Sequence, residues 1–176
     1  RLLGAGFKAV YVGGCVRDLL LGNPSVDIDI GTNATPDQVR RLFPDTVDLG
    51  GAKHGTLLVR LDGYTVEVTT FRTESGYTDF RHPDQVVFTD SLVDDLARRD
   101  FTINALAMLP DGTIVDRFGG LEDLRRKLIR TVGRPAERFA EDPLRMVRAV
   151  RFACQLGFTL EETARRAVRE AVFLLE

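Results

Sequence analysis

Charge of one sign is what this sequence most plainly lacks: 24 Lys and Arg stand against 26 Asp and Glu, leaving a formal net charge of −2 and a pI near 5.8. No global positive field marks a self-sufficient nucleic-acid binder, so any basic site has to be local. Cysteine is scarce as well. The two present, Cys15 and Cys154, lie far apart without C-x-x-C spacing, which argues against a disulfide or a zinc site and fits buried free thiols in a reducing compartment. No apolar run approaches the roughly 18 residues of a membrane span, and no charged-then-apolar segment opens the chain. The expected address is the cytoplasm. Arg1 stands where a methionine would, and the closing "AVFLLE" carries no helix-ending glycine or proline, so a fragment of a longer protein is expected.

What is present reads as an α/β or α+β unit running into a helical segment, without internal repeats. With 176 residues, 44% hydrophobic, the chain can bury a real core. Ala9 to Val12 is a short strand, Gly13-Gly14 a turn, and Cys15 to Leu21 a helix ended by Gly22-Asn23-Pro24. Val26 to Ile30 is the next strand, and Thr35-Pro36 opens a helix whose stripe is Val39, Leu42 and Phe43. Asp62-Gly63 predicts a hairpin turn between two alternating strands. Thr73 to about Asp90 is polar and is expected to be a long mobile loop. A helix near Leu92 to Arg98, a hairpin at Pro110-Asp111-Gly112 and a helix near Leu121 to Lys127 follow, and from Ala136 onward the pattern is helical only.

Within Val26-Asp27-Ile28-Asp29-Ile30 the alternation sends the branched residues to one face and both aspartates to the other, with Cα atoms about 7 Å apart. Like charges on one strand face repel, and one or two divalent cations would compensate them. A half-exposed strand with an acidic outer face gives the same pattern. Just upstream, the backbone N–H groups of Gly13-Gly14 can approach a phosphate, with Arg17 in the first turns of the following helix. A tight connection without a ligand is the alternative. Glu67, between Val66 and Val68, is the candidate third carboxylate or else a solvent-facing side chain. Phosphate cradle, arginine and paired carboxylates together describe metal-dependent phosphoryl or nucleotidyl transfer.

Asp142-Pro143 reads as a helix start, with Leu144, Met146, Val147, Val150, Ala153 and Cys154 on one broad face. Arg145, Arg148 and Arg151 share an arc that largely avoids that face, as a base reader or as a solvated basic surface. In "RRDFTINA", Arg99 would aim at phosphate while Asp100 and Asn104 pin the backbone, and Phe101 and Ile103 belong to the core. His54 and His82 have no assignable partner and read as structural or surface groups.

The motifs "GGCVRDLLLG", "DIDIGTNATP", "RRDFTINALAM" and "EDPLRMVRAVRFA", in that order over nearly the whole chain, resemble the catalytic head of the class II tRNA nucleotidyltransferases and the related bacterial poly(A) polymerases. The resemblance implies an α+β, polymerase-beta-like head, here a mixed sheet of about five strands with flanking helices over residues 1–134, and the truncated start of an all-helical neck over 135–176. It implies Asp27 and Asp29 as Mg2+ ligands, Gly14, Arg17 and Arg99 around the incoming nucleotide, and Asp142, Arg145, Arg148 and Arg151 in the base-selecting helix. Gly13 joins the nucleotide set through the glycine turn, and Glu67 stays the candidate third catalytic carboxylate. The implied activity is addition of C and A from CTP and ATP to the tRNA 3′ end. A poly(A) polymerase, an enzyme adding only CC or only A, a small-molecule nucleotidyltransferase and a non-catalytic RNA-binding module are the rival expectations.

Overall fold

The computed structural model describes residues 1–23 and 27–175. Strand β1 (Ala9–Val12), helix α1 (Gly14–Leu20), strand β2 (Ile28–Thr32) and helix α2 (Pro36–Leu42) come first. Strands β3 (Thr46–Val47), β4 (Thr56–Leu61) and β5 (Tyr64–Thr70) follow, then β6 (Arg72–Ser75) and β7 (Gln85–Phe88). Helix α3 (Leu92–Ala97), strands β8 (Leu106–Met108) and β9 (Ile114–Asp116), helix α4 (Gly120–Arg126) and strand β10 (Leu128–Ile129) lead to helices α5 (Pro135–Glu141) and α6 (Leu144–Leu156). Strand β11 (Thr159–Leu160) and helix α7 (Glu162–Ala171) complete the order.

Among the described residues, seven strands make one sheet in the order β3-β4-β5-β2-β1-β8-β9. Only β2 and β5 run parallel in it; every other neighbour is antiparallel. The count exceeds the expected five or so because edge strands such as Thr46–Val47 are too short to show an alternation. Local chemistry explains the well-read elements. Thr35 accepts from the Gln38 N–H while the Gln38 side chain accepts from the Thr35 N–H, a reciprocal cap with Pro36 in the first turn. Asp62 and Gly63 have φ of 50° and 84°, which a two-residue hairpin turn of matching twist requires.

Several expectations are corrected. Thr73 to Asp90 is not one loop: β6 and β7 pair antiparallel from Arg72↔Phe88 to Ser75↔Gln85. The tip is tied by Asp84, which accepts from the Thr78 N–H and hydroxyl, and by Asp79, which accepts from the Arg81 and His82 N–H groups. Nor is the chain beyond Ala136 helical only, since Thr159–Leu160 pairs parallel with Leu128–Ile129. Cys154 is exposed and free, and Cys15 is half-buried and free. Pro24 and Val26, counted in a helix stop and a strand, lie outside the described residues, and β2 begins at Ile28, after Asp27.

Packing positions the helix that carries the arginines. Ala149, Phe152 and Phe158 share one core cluster with Val16, Phe101, Ile103 and Leu106, so α6 is seated on the sheet's own helices. Phe101 and Phe152 meet edge to face at 5.8 Å. The buried side of α6 is Arg145, Met146, Ala149 and Phe152, whereas Leu144, Val147 and Val150 are exposed. The expected apolar face was rotated because Arg145 goes inside with its charge met. No helix among the described residues is long and apolar enough to cross a membrane.

Candidate active site

Strand pairing builds the acidic centre. Asp29 on β2 stands directly opposite Glu67 on β5 in the parallel register, and alternation turns both away from Ile30, Val66 and Val68, which pack in the core. Both acids line a cavity of about 670 Å³. Asp27 is exposed, precedes the strand and does not line that cavity, yet its charge reaches Asp29. Burial, then Glu67, push the Asp29 carboxyl up to about 6, Asp27 adds to this, and Arg99 pulls it down. Among the described residues no group of three His, Cys, Asp or Glu side chains is gathered to hold a metal ion. The donor set nonetheless fits Mg2+, which takes one or two carboxylates and completes its shell with substrate phosphate and water. An acid driven toward neutrality by burial and by other acids is what such a cation relieves.

The glycine turn follows β1. Gly13 has φ 74° and ψ −134°, a region that only glycine enters without strain, and the Gly13 N–H donates to the Leu106 carbonyl at 3.1 Å. Arg99 crosses this turn. Its Nη2 donates to buried Asp95 at 3.2 Å, and its Nε is buried without a partner. Arg17, buried midway along α1, pairs with Asp18 at 2.8 Å through Nε and donates from Nη1 to the Asn104 side-chain oxygen at 2.7 Å. Asn104 in turn donates to Asp100 at 3.1 Å, and Asp100 also accepts from the Phe101 N–H and from Arg148 Nε at 2.8 Å. One side-chain chain thus runs from Arg17 to Arg148.

At the other end of the cavity, Asp142 closes α5 and precedes α6. Its Oδ1 accepts from the Leu144 N–H at 3.0 Å, while its Oδ2 lies 3.9 Å from Arg145 Nε. Arg145 Nη1 is spent on Glu141 at 2.6 Å and the Arg138 carbonyl at 3.2 Å, leaving Nη2 with a long contact to the Tyr77 hydroxyl. Asp142 and Arg145 each keep one polar edge for a ligand. Arg151 does not line the cavity; its guanidinium lies 4.8 Å from the Phe152 ring centre, and those of Arg17 and Arg148 lie 5.1 and 5.3 Å from it.

The β6–β7 hairpin supplies residues that the sequence reading missed. Glu74, nearly buried, accepts from Arg72, Arg98 and the Tyr77 hydroxyl, and the Tyr77 ring lies 5.6 Å below the Arg145 guanidinium. Burial would raise Glu74, but Arg98, Arg72 and the hydrogen bonds outweigh it and hold its carboxyl below the usual range. Arg98 and Arg99 share Asp95, which is 1% exposed. His54 and His82 also line the cavity; His82 is nonetheless an exposed surface group, paired with Asp79 at 2.8 Å. The signal that existed was the density of Arg, Glu, Asp and Tyr in 72–84, which apolar periodicity does not weigh.

Comparison with known proteins gives a consistent picture. The CCA-adding enzyme of Limosilactobacillus fermentum is 56% identical over all of this chain, which spans 44% of that relative's length. The crystal structure of the Bacillus stearothermophilus CCA-adding enzyme in complex with CTP superposes with a TM-score of 0.87 at 51% identity, covering 95% of this chain and 40% of that one. A tRNA nucleotidyltransferase complexed with a primer tRNA and an incoming ATP analog matches with a TM-score of 0.78 at 34% identity, over 98% of this chain and 48% of that one. Residues 9–130 match the poly A polymerase head domain, and with the glycine turn, the facing carboxylates and the arginine-bearing helix around one cavity, the chain belongs to that family.

Proposed function

We propose that this chain is the catalytic part of a template-independent RNA nucleotidyltransferase that adds C and A from CTP and ATP to the tRNA 3′ end. Residues 1–134 form the head, residues 135–176 begin the neck, and the enzyme works in the cytoplasm. The observation that carries the reading is that Gly13-Gly14, Asp29, Glu67, Arg99, Asp142 and Arg145 face one cavity. The names of the relatives above agree with it.

Gly13 shapes the turn, with its own N–H held by the Leu106 carbonyl, and Gly14 through its backbone N–H and Arg17 and Arg99 through guanidinium charge hold the triphosphate. Asp27 and Asp29 hold Mg2+, with Glu67 beside them. When bound, the cation acidifies the attacking 3′ hydroxyl and offsets charge on the α-phosphate. The hydroxyl oxygen bonds to the α-phosphorus, the bridging P–O bond to the β-phosphate breaks, and pyrophosphate and a proton leave. Cytosine and adenine both show an amino group beside an unprotonated ring nitrogen; Asp142 Oδ2 accepts from the first and Arg145 Nη2 donates to the second. Uracil and guanine present the reverse pattern and meet like against like. Arg148, held by Asp100, and Arg151, on Phe152, brace the helix.

The test is incorporation of each labelled triphosphate, alone and mixed, into tRNA that lacks its 3′ CCA. Two C residues followed by one A is the expected product. A run of A alone would make it a poly(A) polymerase, C additions alone or one A alone would give the narrower adding enzymes, and RNA binding without incorporation would leave a binding module.

A further inference from the structure

The cavity has lining residues beyond those assigned to the incoming nucleotide. Beyond Glu67, on the side away from the glycine turn, it is lined by Thr69 on β5, Thr56 on β4 and His54 in the short turn before β4. Sheet order fixes this sequence of groups: β1 carries the chain into Gly13-Gly14, β2 presents Asp29, β5 presents Glu67 and Thr69, and β4 presents Thr56. Neighbouring strands are about 4.8 Å apart, so the lining reads as a row across the sheet. In-line displacement sets attacker and leaving group on opposite sides of the phosphorus. With pyrophosphate leaving toward the glycine turn, the attacking strand has to arrive over β5 and β4.

The groups found there suit a ribonucleotide terminus. Thr56 and Thr69 are register partners whose hydroxyls lie 3.0 Å apart, each with hydrogen-bonding capacity to spare. Thr69 shares a strand face with Glu67, two residues or about 7 Å along. The His54 carbonyl is taken by Arg72, and its ring makes no hydrogen bond among the described residues. Burial, Lys53, Arg72 and His82 hold its imidazole below the usual histidine range against the pull of Glu74. A ring N–H on the cavity wall, without a partner among the described residues, can donate to a phosphodiester.

We infer that Thr56, Thr69 and His54 form the seat of the acceptor strand, the threonine hydroxyls holding the ribose of the terminal nucleotide and His54 its phosphodiester. This rests on the function proposed above and assigns positioning residues to it. None of the three touches the reacting phosphorus.

The test uses the complete polypeptide and separates acceptor from nucleotide. His54→Ala and Thr69→Val should each raise KM for tRNA lacking its 3′ CCA about tenfold, the loss of one hydrogen bond to a charged or desolvated group, with KM for CTP unchanged within about twofold. Thr69→Ser, which keeps the hydroxyl, should behave like the parent. A terminal 2′-deoxy nucleotide should penalise the parent but not Thr69→Val, a difference that loosened folding would not produce. An unchanged acceptor KM in both variants, or a CTP KM rising in step, would overturn the seat while leaving the enzyme an adding enzyme. A parent that extends no RNA with any triphosphate would overturn the functional reading, and the seat with it.

Discussion

Arg99 lies against Gly13 so closely that a β-carbon on Gly13 would stand 2.7 Å from its Nη1 and 3.7 Å from Asp29 Oδ2. The glycine turn, the Arg99 guanidinium and the Asp29 carboxylate therefore meet at one glycine.

Gly13→Ala is predicted to cost about 1–3 kcal/mol of stability, because φ 74° is strained for any β-carbon and Arg99 has to shift. Displacing Arg99 should also weaken CTP binding. Gly14 provides the control: a β-carbon there meets only Arg17 Nη2, at 3.6 Å, so Gly14→Ala should fold like the parent. Urea unfolding and CTP titration of both variants check the contrast; equal stability of the two would refute the role given to the close approach.

Asp29 links stability to pH and metal. Its carboxyl is raised to about 6 from an ordinary value of 3.8, so the folded protein binds that proton more tightly than the unfolded chain. Stability is thus lost as pH rises from about 4 to about 6. Asp29→Asn should unfold at higher urea than the parent at pH 8, by about 1 kcal/mol after discounting for solvent screening, with the difference gone near pH 3. Magnesium should reverse the order by stabilising the parent alone. Asp27→Ala and Asp29→Ala should both stay folded and lose nearly all transfer; magnesium-dependent activity in either would remove the aspartates from the metal site.

Asp142 accepts from the Leu144 N–H on Oδ1, the proposed function gives Oδ2 the base, and two substitutions separate the two duties. Asp142→Ala removes the acceptor for the Leu144 N–H and should lower stability by about 1 kcal/mol, while discrimination against UTP and GTP falls roughly tenfold to a hundredfold. Asp142→Asn keeps the Oδ1 acceptor and puts a donor in place of Oδ2. It should melt like the parent yet lose the preference for C and A. Melting curves and single-nucleotide incorporation rates for all four triphosphates decide it; an Asn variant that still chose C and A strictly would leave Asp142 as a helix-start residue only.

Much of the sheet and half of the site were legible in the sequence, for a physical reason. Alternation in Ile28-Asp29-Ile30 and Val66-Glu67-Val68 is a local property, and it alone turned both acids to one face. The Asp100 bond to the Phe101 N–H was equally local, whereas Asn104, expected to pin backbone too, bonds the side chains of Asp100 and distant Arg17. The buried face of α6 was not, because apolar Leu144, Val147 and Val150 look like core until Glu141 and Tyr77 are seen to neutralise and cover Arg145. The hairpin was missed because its partners are charges from distant elements: Glu74 takes Arg98 from beyond α3, and Tyr77 meets Arg145, 68 positions away. Sequence periodicity measures burial of oil, and this wall is held by ions.

The line of hydrogen bonds from Arg17 through Asn104 and Asp100 to Arg148 has a mechanical meaning. In the function proposed above, it fixes the separation between the jaw assigned to phosphate and the helix assigned to the base, as a frame fixes the jaws of a gauge. A ligand is then measured end to end rather than at either end alone. A nucleoside without its phosphates, or a triphosphate without its base, fills one jaw and leaves the gauge unread.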